Sequence, residues 1–326
     1  MEYVRQYHKS VAWLMVLIVV IGFASLAPAR AQSAAGSCGG AIPVEPGMNE
    51  VTLESGGQTR SFLLHVPESY DGTSPAPVVL SMHGFSSNPD QQREFSRWDE
   101  LGESEGFLTV YPRGTGFPLR WNAGLFSDPG VGVLGALLGE QADDLGFFND
   151  LLDYLESNYC IDAQRVYATG LSNGGGMSNR LACEMADRIA AIGTVAGAYP
   201  ELEEGCNPSR VVPVISFHGV VDPIVPYEGA EDMGLPDINE WIQDWAARAT
   251  CTEAESTTGG TPDAVTVTTY TACQDDAEVV LYSIPDGGHT WPGGLELPEF
   301  LVGKTRQDID ATAIMWEFVK RFAIES

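Results

Sequence analysis

Arg165-Val166-Tyr167-Ala168-Thr169 runs straight into Gly170-Leu171-Ser172-Asn173-Gly174-Gly175-Gly176, after which Met177, Leu181 and Met185 recur at helical spacing. The first run reads as a short strand and the last as an amphipathic helix. Between them stands a G-x-S-x-G turn. A passage from strand to helix that tight holds its serine on a strained elbow, and flanking side chains would strike neighbouring backbone, which is why glycines stand there. The pentapeptide alone arises often by coincidence; its place between strand and helix gives it meaning.

Outward from that elbow, β-rich runs recur at Ser61–Val66, Pro77–Met82, Phe107–Tyr111, Ala190–Val195, Val211–Phe217 and Val279–Ile284. Helix-like stretches lie between them near 89–104, 144–158, 173–188, 237–249 and 309–324. Pro77–Met82 and Val211–Phe217 are nearly continuous apolar segments, as in strands covered on both faces. The alternation predicts an α/β fold, a mainly parallel sheet with helices on both sides. Ser61–Val66 alternates and is expected as an outer antiparallel strand. No repeat or Ser/Pro linker breaks residues 40–326, so one domain is expected there.

Hydrophobic residues are 44% and charged residues 19% of the 326, which excludes a disordered chain, a coiled coil and a polytopic membrane protein. The net charge of −28, from 17 basic and 45 acidic residues, makes nucleic acid and anionic lipid poor partners. Arg5 and Lys9, an apolar run from Val11 to Leu26, and Ala29-Arg30-Ala31 together predict a secretory signal peptide over 1–31, with the mature chain beginning at Gln32. The alternative, an N-terminal membrane anchor, is short of the ~20 residues a span needs. The exported chain is expected to be a monomer without stable membrane association.

All six cysteines, at 38, 160, 183, 206, 251 and 273, follow that cut, and an even count in an exported chain predicts disulfides. Short loops close at least entropic cost, which favours Cys183–Cys206 and Cys251–Cys273 and leaves Cys38–Cys160. The chain has no C-x-x-C pair, so a zinc site is not expected; no cofactor and no metal are expected.

A serine nucleophile on such an elbow is followed along the chain by its acid and then its histidine. Beyond residue 31 the histidines are His65, His83, His218 and His289. The first two precede Ser172, and His218 has no strand-end acid between itself and the serine. His289, in Gly287-Gly288-His289-Thr290 after Val279–Ile284, is the expected base. Asp222, in His218-Gly219-Val220-Val221-Asp222-Pro223, is the expected acid, with Asp286 as its rival. His218 is expected to bridge loops. Two backbone amides should form the oxyanion hole: Asn173, after the nucleophile, and Phe85, after the strand Pro77–Met82 in His83-Gly84-Phe85. Gly84 leaves room for substrate, and His83 holds the loop.

These motifs, with Tyr111-Pro112-Arg113-Gly114, Trp121-Asn122-Ala123-Gly124, Asp143-Asp144-Leu145-Gly146-Phe147, Val225-Pro226-Tyr227 and Gly287-Gly288-His289-Thr290-Trp291-Pro292-Gly293, resemble one family over roughly residues 50–322. The chain is similar to secreted α/β-hydrolase esterases of the polyhydroxybutyrate depolymerase-like and feruloyl esterase-like group, carbohydrate esterase family 1. The resemblance implies an α/β-hydrolase fold over 32–326, a Ser172–Asp222–His289 triad working through an acyl-enzyme, and a cleft lined by Trp121 and Trp291; Tyr227 is expected as a further aromatic edge. Hydroxycinnamoyl or acetyl esters of plant polysaccharide fragments are the expected substrates. A polyester depolymerase is the alternative; an acyl transferase and a non-catalytic binding protein on the same fold follow behind it.

Leu125–Ala142 departs from that pattern, as a flap over the acyl pocket or as surface packing. Its Gly130-Val131-Gly132-Val133-Leu134-Gly135 imitates a dinucleotide fingerprint without a preceding strand. Asp143-Asp144 reads as a helix N-cap rather than a metal site.

Overall fold

The structure is a computed structural model and describes residue 38 and residues 45–124, 142–259 and 264–325. The expected signal peptide, the dinucleotide-like run and nearly all of Leu125–Ala142 lie outside the described residues. Among the described residues ten strands form one sheet: β1 (Gly47–Ser55), β2 (Gln58–Val66), β3 (Ala76–Met82), β4 (Leu108–Pro112), β5 (Ile161–Leu171), β6 (Ala191–Val195), β7 (Val214–Gly219), β8 (Glu253–Thr258), β9 (Thr266–Thr271) and β10 (Val279–Ile284). Among the described residues the α-helices are α1 (Pro89–Ser96), α2 (Trp98–Glu105), α3 (Asp144–Asn158), α4 (Asn173–Glu184), α5 (Ile238–Arg248), α6 (Glu299–Val302) and α7 (Ala311–Val319).

The sheet order is β1-β2-β4-β3-β5-β6-β7-β10-β9-β8. From β4 to β10 every neighbouring pair is parallel, and antiparallel strands flank that block on both sides. β3 shows why the centre must be covered on both faces. Val78, Leu80 and Met82 enter one core with Phe147, Leu151, Met177, Leu181, Trp241 and Trp245 of α3, α4 and α5. Val79, from the opposite face, enters a second core with Trp98, Phe107, Met315 and Trp316, which α2 and α7 help to build. Alternate strand residues point to opposite faces, so a continuous apolar run needs two helical layers.

Three differences from the sequence reading stand out. Ser61–Val66 belongs to an antiparallel strand, but β1 lies outside it, paired along its whole length from Gly47–Val66 to Ser55–Gln58. β8 and β9 form a Thr-rich hairpin whose residues are exposed or half-buried, so no apolar run announced it. The single helix expected over 89–104 is two, because Arg97 adopts a left-handed conformation at φ 53° and breaks it. The structure joins Cys38 to Cys160, Cys183 to Cys206 and Cys251 to Cys273.

Candidate active site

β5, β6, β7 and β10 are successive parallel neighbours. Their carboxyl ends therefore open onto one edge of the sheet, where ligands gather in folds of this kind. Ser172 leaves β5, Asp222 follows β7, and His289 follows β10.

Ser172 sits at φ 59° and ψ −120°, a positive-φ conformation that costs a non-glycine residue free energy. The elbow is held by its own backbone: the Ser172 amide donates to Val195 O at 3.0 Å, and its carbonyl accepts from Gly176 at 2.9 Å and Ala198 at 3.1 Å. Gly174 is required, because a Cβ there would collide with the carbonyls of Met82 and His83. The start of α4 thereby presses against the loop after β3. A Cβ on Gly84 would stand 3.3 Å from Ser172 Cβ, so the Gly84–Phe85 turn lies directly beside the serine.

Asp222 and His289 meet. His289 Nδ1 donates to Asp222 Oδ2 at 2.8 Å, in a setting where both side chains are buried. The other Asp222 oxygen accepts the amides of Ile224 at 2.8 Å and Val225 at 2.9 Å, which fixes the carboxylate plane. With its proton on Nδ1, the imidazole presents Nε2 as a base. Asp286 is engaged elsewhere, by Lys304 at 2.5 Å and Arg306 at 2.6 Å. Burial alone would raise Asp286, but those two cations outweigh it and hold the carboxyl below its usual range.

His218 and His83 tie backbone. His218 Nε2 donates to Val225 O at 2.9 Å and closes the loop that carries Asp222, 3.7 Å from that carboxylate. Burial lowers its pKa. His83 Nε2 accepts the Gly114 amide at 3.0 Å, so Nδ1 carries the proton and donates to Gly84 O at 2.8 Å. Burial pushes its pKa down to about 4, and the ring is neutral at ordinary pH.

The aromatic residues expected along a cleft are inside the protein instead. Trp121 is fully buried in the first core, its indole N–H donating to His83 O at 2.9 Å. Trp291 is buried in the second core and donates to Thr312 Oγ1 at 2.9 Å. Tyr227 is buried edge-on to His218, its hydroxyl donating to Asn239 and bonded to Ser283. Large aromatic surfaces gain most when fully removed from water, and each ring's polar atom has an internal partner. All three are buried, and Trp291 also borders a cavity.

The sequence did not disclose three further contacts. Asn173 clasps the backbone of Trp121, accepting from its amide at 2.7 Å and donating to its carbonyl at 3.2 Å. The segment Val302-Gly303-Lys304 straps the histidine loop: His289 N donates to Val302 O at 2.6 Å and Gly288 N to Lys304 O at 3.0 Å. Asp143 caps α3 through the Gly146 amide, as the sequence led one to expect, but Asp144 unexpectedly turns inward to Arg60 at 2.7 Å and to the Asn122 amide at 2.7 Å. Burial raises Asp144, and Arg60 opposes that rise.

A cavity of about 700 Å³ is lined by Asn179, Tyr199, Leu202, Leu235, Glu240 and Trp241 among others, and by none of Ser172, Asp222 or His289. A smaller one of about 210 Å³ lies over Trp291 and Thr312. Among the described residues no group of three His, Cys, Asp or Glu is placed to hold a metal ion. No helix among them is long and apolar enough to cross a membrane.

No family model matches the chain. Among curated proteins it is 27% identical over 278 residues to feruloyl esterase B of Piromyces equi, covering 81% of this chain and 46% of that one. The chain thus spans about half the length of that relative. It is 24% identical over 280 residues to feruloyl esterase C of Emericella nidulans, covering 84% of this chain and 90% of that protein. Among solved structures, an acetyl xylan esterase from Aspergillus awamori superposes with a TM-score of 0.53 at 15% identity, covering 74% of this chain and 94% of the other. By sequence and by architecture, the chain is a homologue of proteins named feruloyl esterase and has the α/β-hydrolase fold.

Proposed function

We propose that this chain is a serine ester hydrolase whose residues 32–326 form one exported catalytic domain. Ser172 attacks the ester carbonyl while His289 Nε2 takes its proton, and Asp222 orients the imidazole and stabilises its charged form. The amides of Asn173 and Phe85 receive the oxyanion of the tetrahedral intermediate. The alcohol leaves with the proton returned by His289, and water repeats the cycle on the acyl-enzyme. The observation that carries this reading is the 2.8 Å bond from His289 Nδ1 to Asp222, taken together with a serine at φ 59° on a strand-to-helix elbow. Three disulfides accord with an oxidising compartment.

Hydroxycinnamoyl or acetyl esters of plant polysaccharide fragments are the substrates we infer, on the names of the relatives. A cavity of about 700 Å³ lined by Tyr199, Glu240 and Trp241, though by none of Ser172, Asp222 or His289, has room for a sugar chain. A second reading, an aliphatic polyester substrate, is favoured by one feature. Val220, Val221 and Ile224 on the acid loop, and Phe300 and Leu301 on α6, are exposed apolar residues flanking the His289 loop, with Phe300 87% exposed.

Purified protein should react with a fluorophosphonate and Ser172→Ala should not. A panel of methyl ferulate, acetylated xylan, p-nitrophenyl acetate and a polyhydroxybutyrate film separates the substrate readings. Faster clearing of the film than turnover of the soluble esters reverses our preference, and labelling that persists in Ser172→Ala removes Ser172 from its role.

A further inference from the structure

On the serine hydrolase reading, two amides must point at one oxygen, yet they belong to different parts of the chain. Asn173 opens α4, and Phe85 lies on the loop after β3. An oxyanion site works only while its donors stay about 2.7–3.1 Å from the developing charge, so something must keep these two segments in register.

We propose that Asn173 and Trp121 are positioning residues which, through their own hydrogen bonds, lock the two halves of the oxyanion site together. The Asn173 side chain grips the Trp121 backbone at both polar groups, at 2.7 and 3.2 Å. The Trp121 indole N–H reaches the other half, donating to His83 O at 2.9 Å. His83 in turn binds Gly84 O and the Gly114 amide at 2.8 and 3.0 Å, so the turn bearing Phe85 is fixed from within. Ser86, the next residue, donates to Leu119 O at 2.8 Å. Behind the brace, the Asn122 amide donates to buried Asp144, and its carbonyl accepts from Arg180 at 2.6 Å.

Asn173 is 1% exposed, and Trp121 and His83 are fully buried. Hydrogen bonds in such surroundings have no water to replace them, so breaking one leaves a desolvated donor or acceptor. The brace therefore has one arrangement. Asparagine suits its place because it offers an acceptor to the Trp121 amide and a donor to the Trp121 carbonyl at once. Aspartate would turn an oxygen towards that carbonyl, and alanine would leave both groups bare.

The test uses the full mature protein and measures kcat and KM on p-nitrophenyl acetate. It adds the inhibition constant of phenylboronic acid, whose serine adduct places an oxygen in the oxyanion site. Wild type that neither hydrolyses esters nor takes the fluorophosphonate defeats the serine hydrolase reading itself. With active wild type, Trp121→Phe, which removes the indole donor and keeps a ring, and Asn173→Ala should each lower kcat by about 10²-fold. KM should stay within about threefold, and boronate affinity should fall in parallel with kcat. Phe148→Leu is the packing control: its ring lies 5.5 Å from that of Trp121 and makes no bond to the brace. It should lower the melting temperature and leave kcat within about twofold, since only packing is disturbed. Folded Trp121→Phe and Asn173→Ala with wild-type kcat, or an equal loss of kcat in Phe148→Leu, overturns the proposal. If Asn173→Ala does not fold, Asn173→Asp takes its place with the same expected loss.

Discussion

His289 Nδ1 and Asp222 Oδ2 meet at 2.8 Å across 67 residues of chain, from loops that leave two adjacent parallel strands. The loops come together through backbone: Val220 N donates to Ile284 O at 2.8 Å, and Val221 N to Gly287 O at 3.3 Å. Gly219 permits this, because a Cβ there would collide with the Gly287 carbonyl. Asp222 and His289 are thus paired by the sheet and not by local sequence, and two carboxylates near His289 in sequence or space have distinct surroundings.

Asp222→Asn should lower kcat by about 10³–10⁴-fold with the fold intact, because the imidazole loses the partner that sets its tautomer. Asp286→Asn should keep kcat within a few-fold and instead loosen the Lys304–Arg306 segment. Steady-state kinetics on a soluble ester distinguishes them, and the opposite pattern would exchange their roles.

Ser172 holds a positive φ that glycine adopts without cost. Ser172→Gly should be inactive but more stable than Ser172→Ala by about 1 kcal/mol, the strain released at one such residue. Thermal unfolding of the two inactive variants side by side measures the difference; equal melting temperatures would show that the elbow stores no strain.

Cys183, buried at the end of α4, is bonded to Cys206 across 23 residues. Replacing both with serine should cost about 3 kcal/mol, the loop-closure contribution of a bridge of that span. Replacing Cys251 and Cys273 should cost less, since that bridge lies beside the exposed β8–β9 hairpin. Chemical denaturation gives both values, and non-reducing peptide mapping should find no thiol and the same three pairs.

Acid should weaken the native state well before the carboxylates titrate. Burial lowers His83 to about 4 and lowers His218 and His65 as well. The unfolded chain binds these protons below its ordinary imidazole value near 6.5, while native His83 binds its proton only near 4. Stability is therefore whole above about pH 6.5 and falls as pH drops towards 4. For His83 alone the loss between pH 7.5 and 5 is about 2 kcal/mol. Asp144, raised by burial, acts in the opposite sense at the lower end of that range. Urea midpoints at the two pH values should separate less in His83→Gln than in wild type, and an unchanged separation would clear His83 of the effect.

Much of the frame was legible in the sequence because strands buried on both faces write themselves as continuous apolar runs. Pro77–Met82 and Val211–Phe217 are such runs, and they became β3 and most of β7. The edges were not legible. β1 alternates with half-exposed residues, and β8 and β9 are stabilised by backbone pairing and threonine ladders such as Ser256–Thr268 and Thr258–Thr266. Hydrophobic periodicity carries no mark of such pairing.

At the site, the linear chain determined the elbow, since only glycine fits beside Ser172 where backbone meets backbone, and chain order singled out His289 as the candidate base. What aromatic residues do was decided by the tertiary structure alone. Trp121, Trp291 and Tyr227 stand next to the motifs and so read as cleft walls, but a position next to a motif does not tell which way a side chain turns. Folding turned all three inward, where burying a large ring and pairing its single polar atom inside outweighs leaving it in water. The Asn173–Trp121 clasp joins residues 52 apart in sequence, and it came into being only when the start of α4 closed on the loop after β3. Local propensity acts over a few neighbours, whereas that contact depends on the whole sheet being in place.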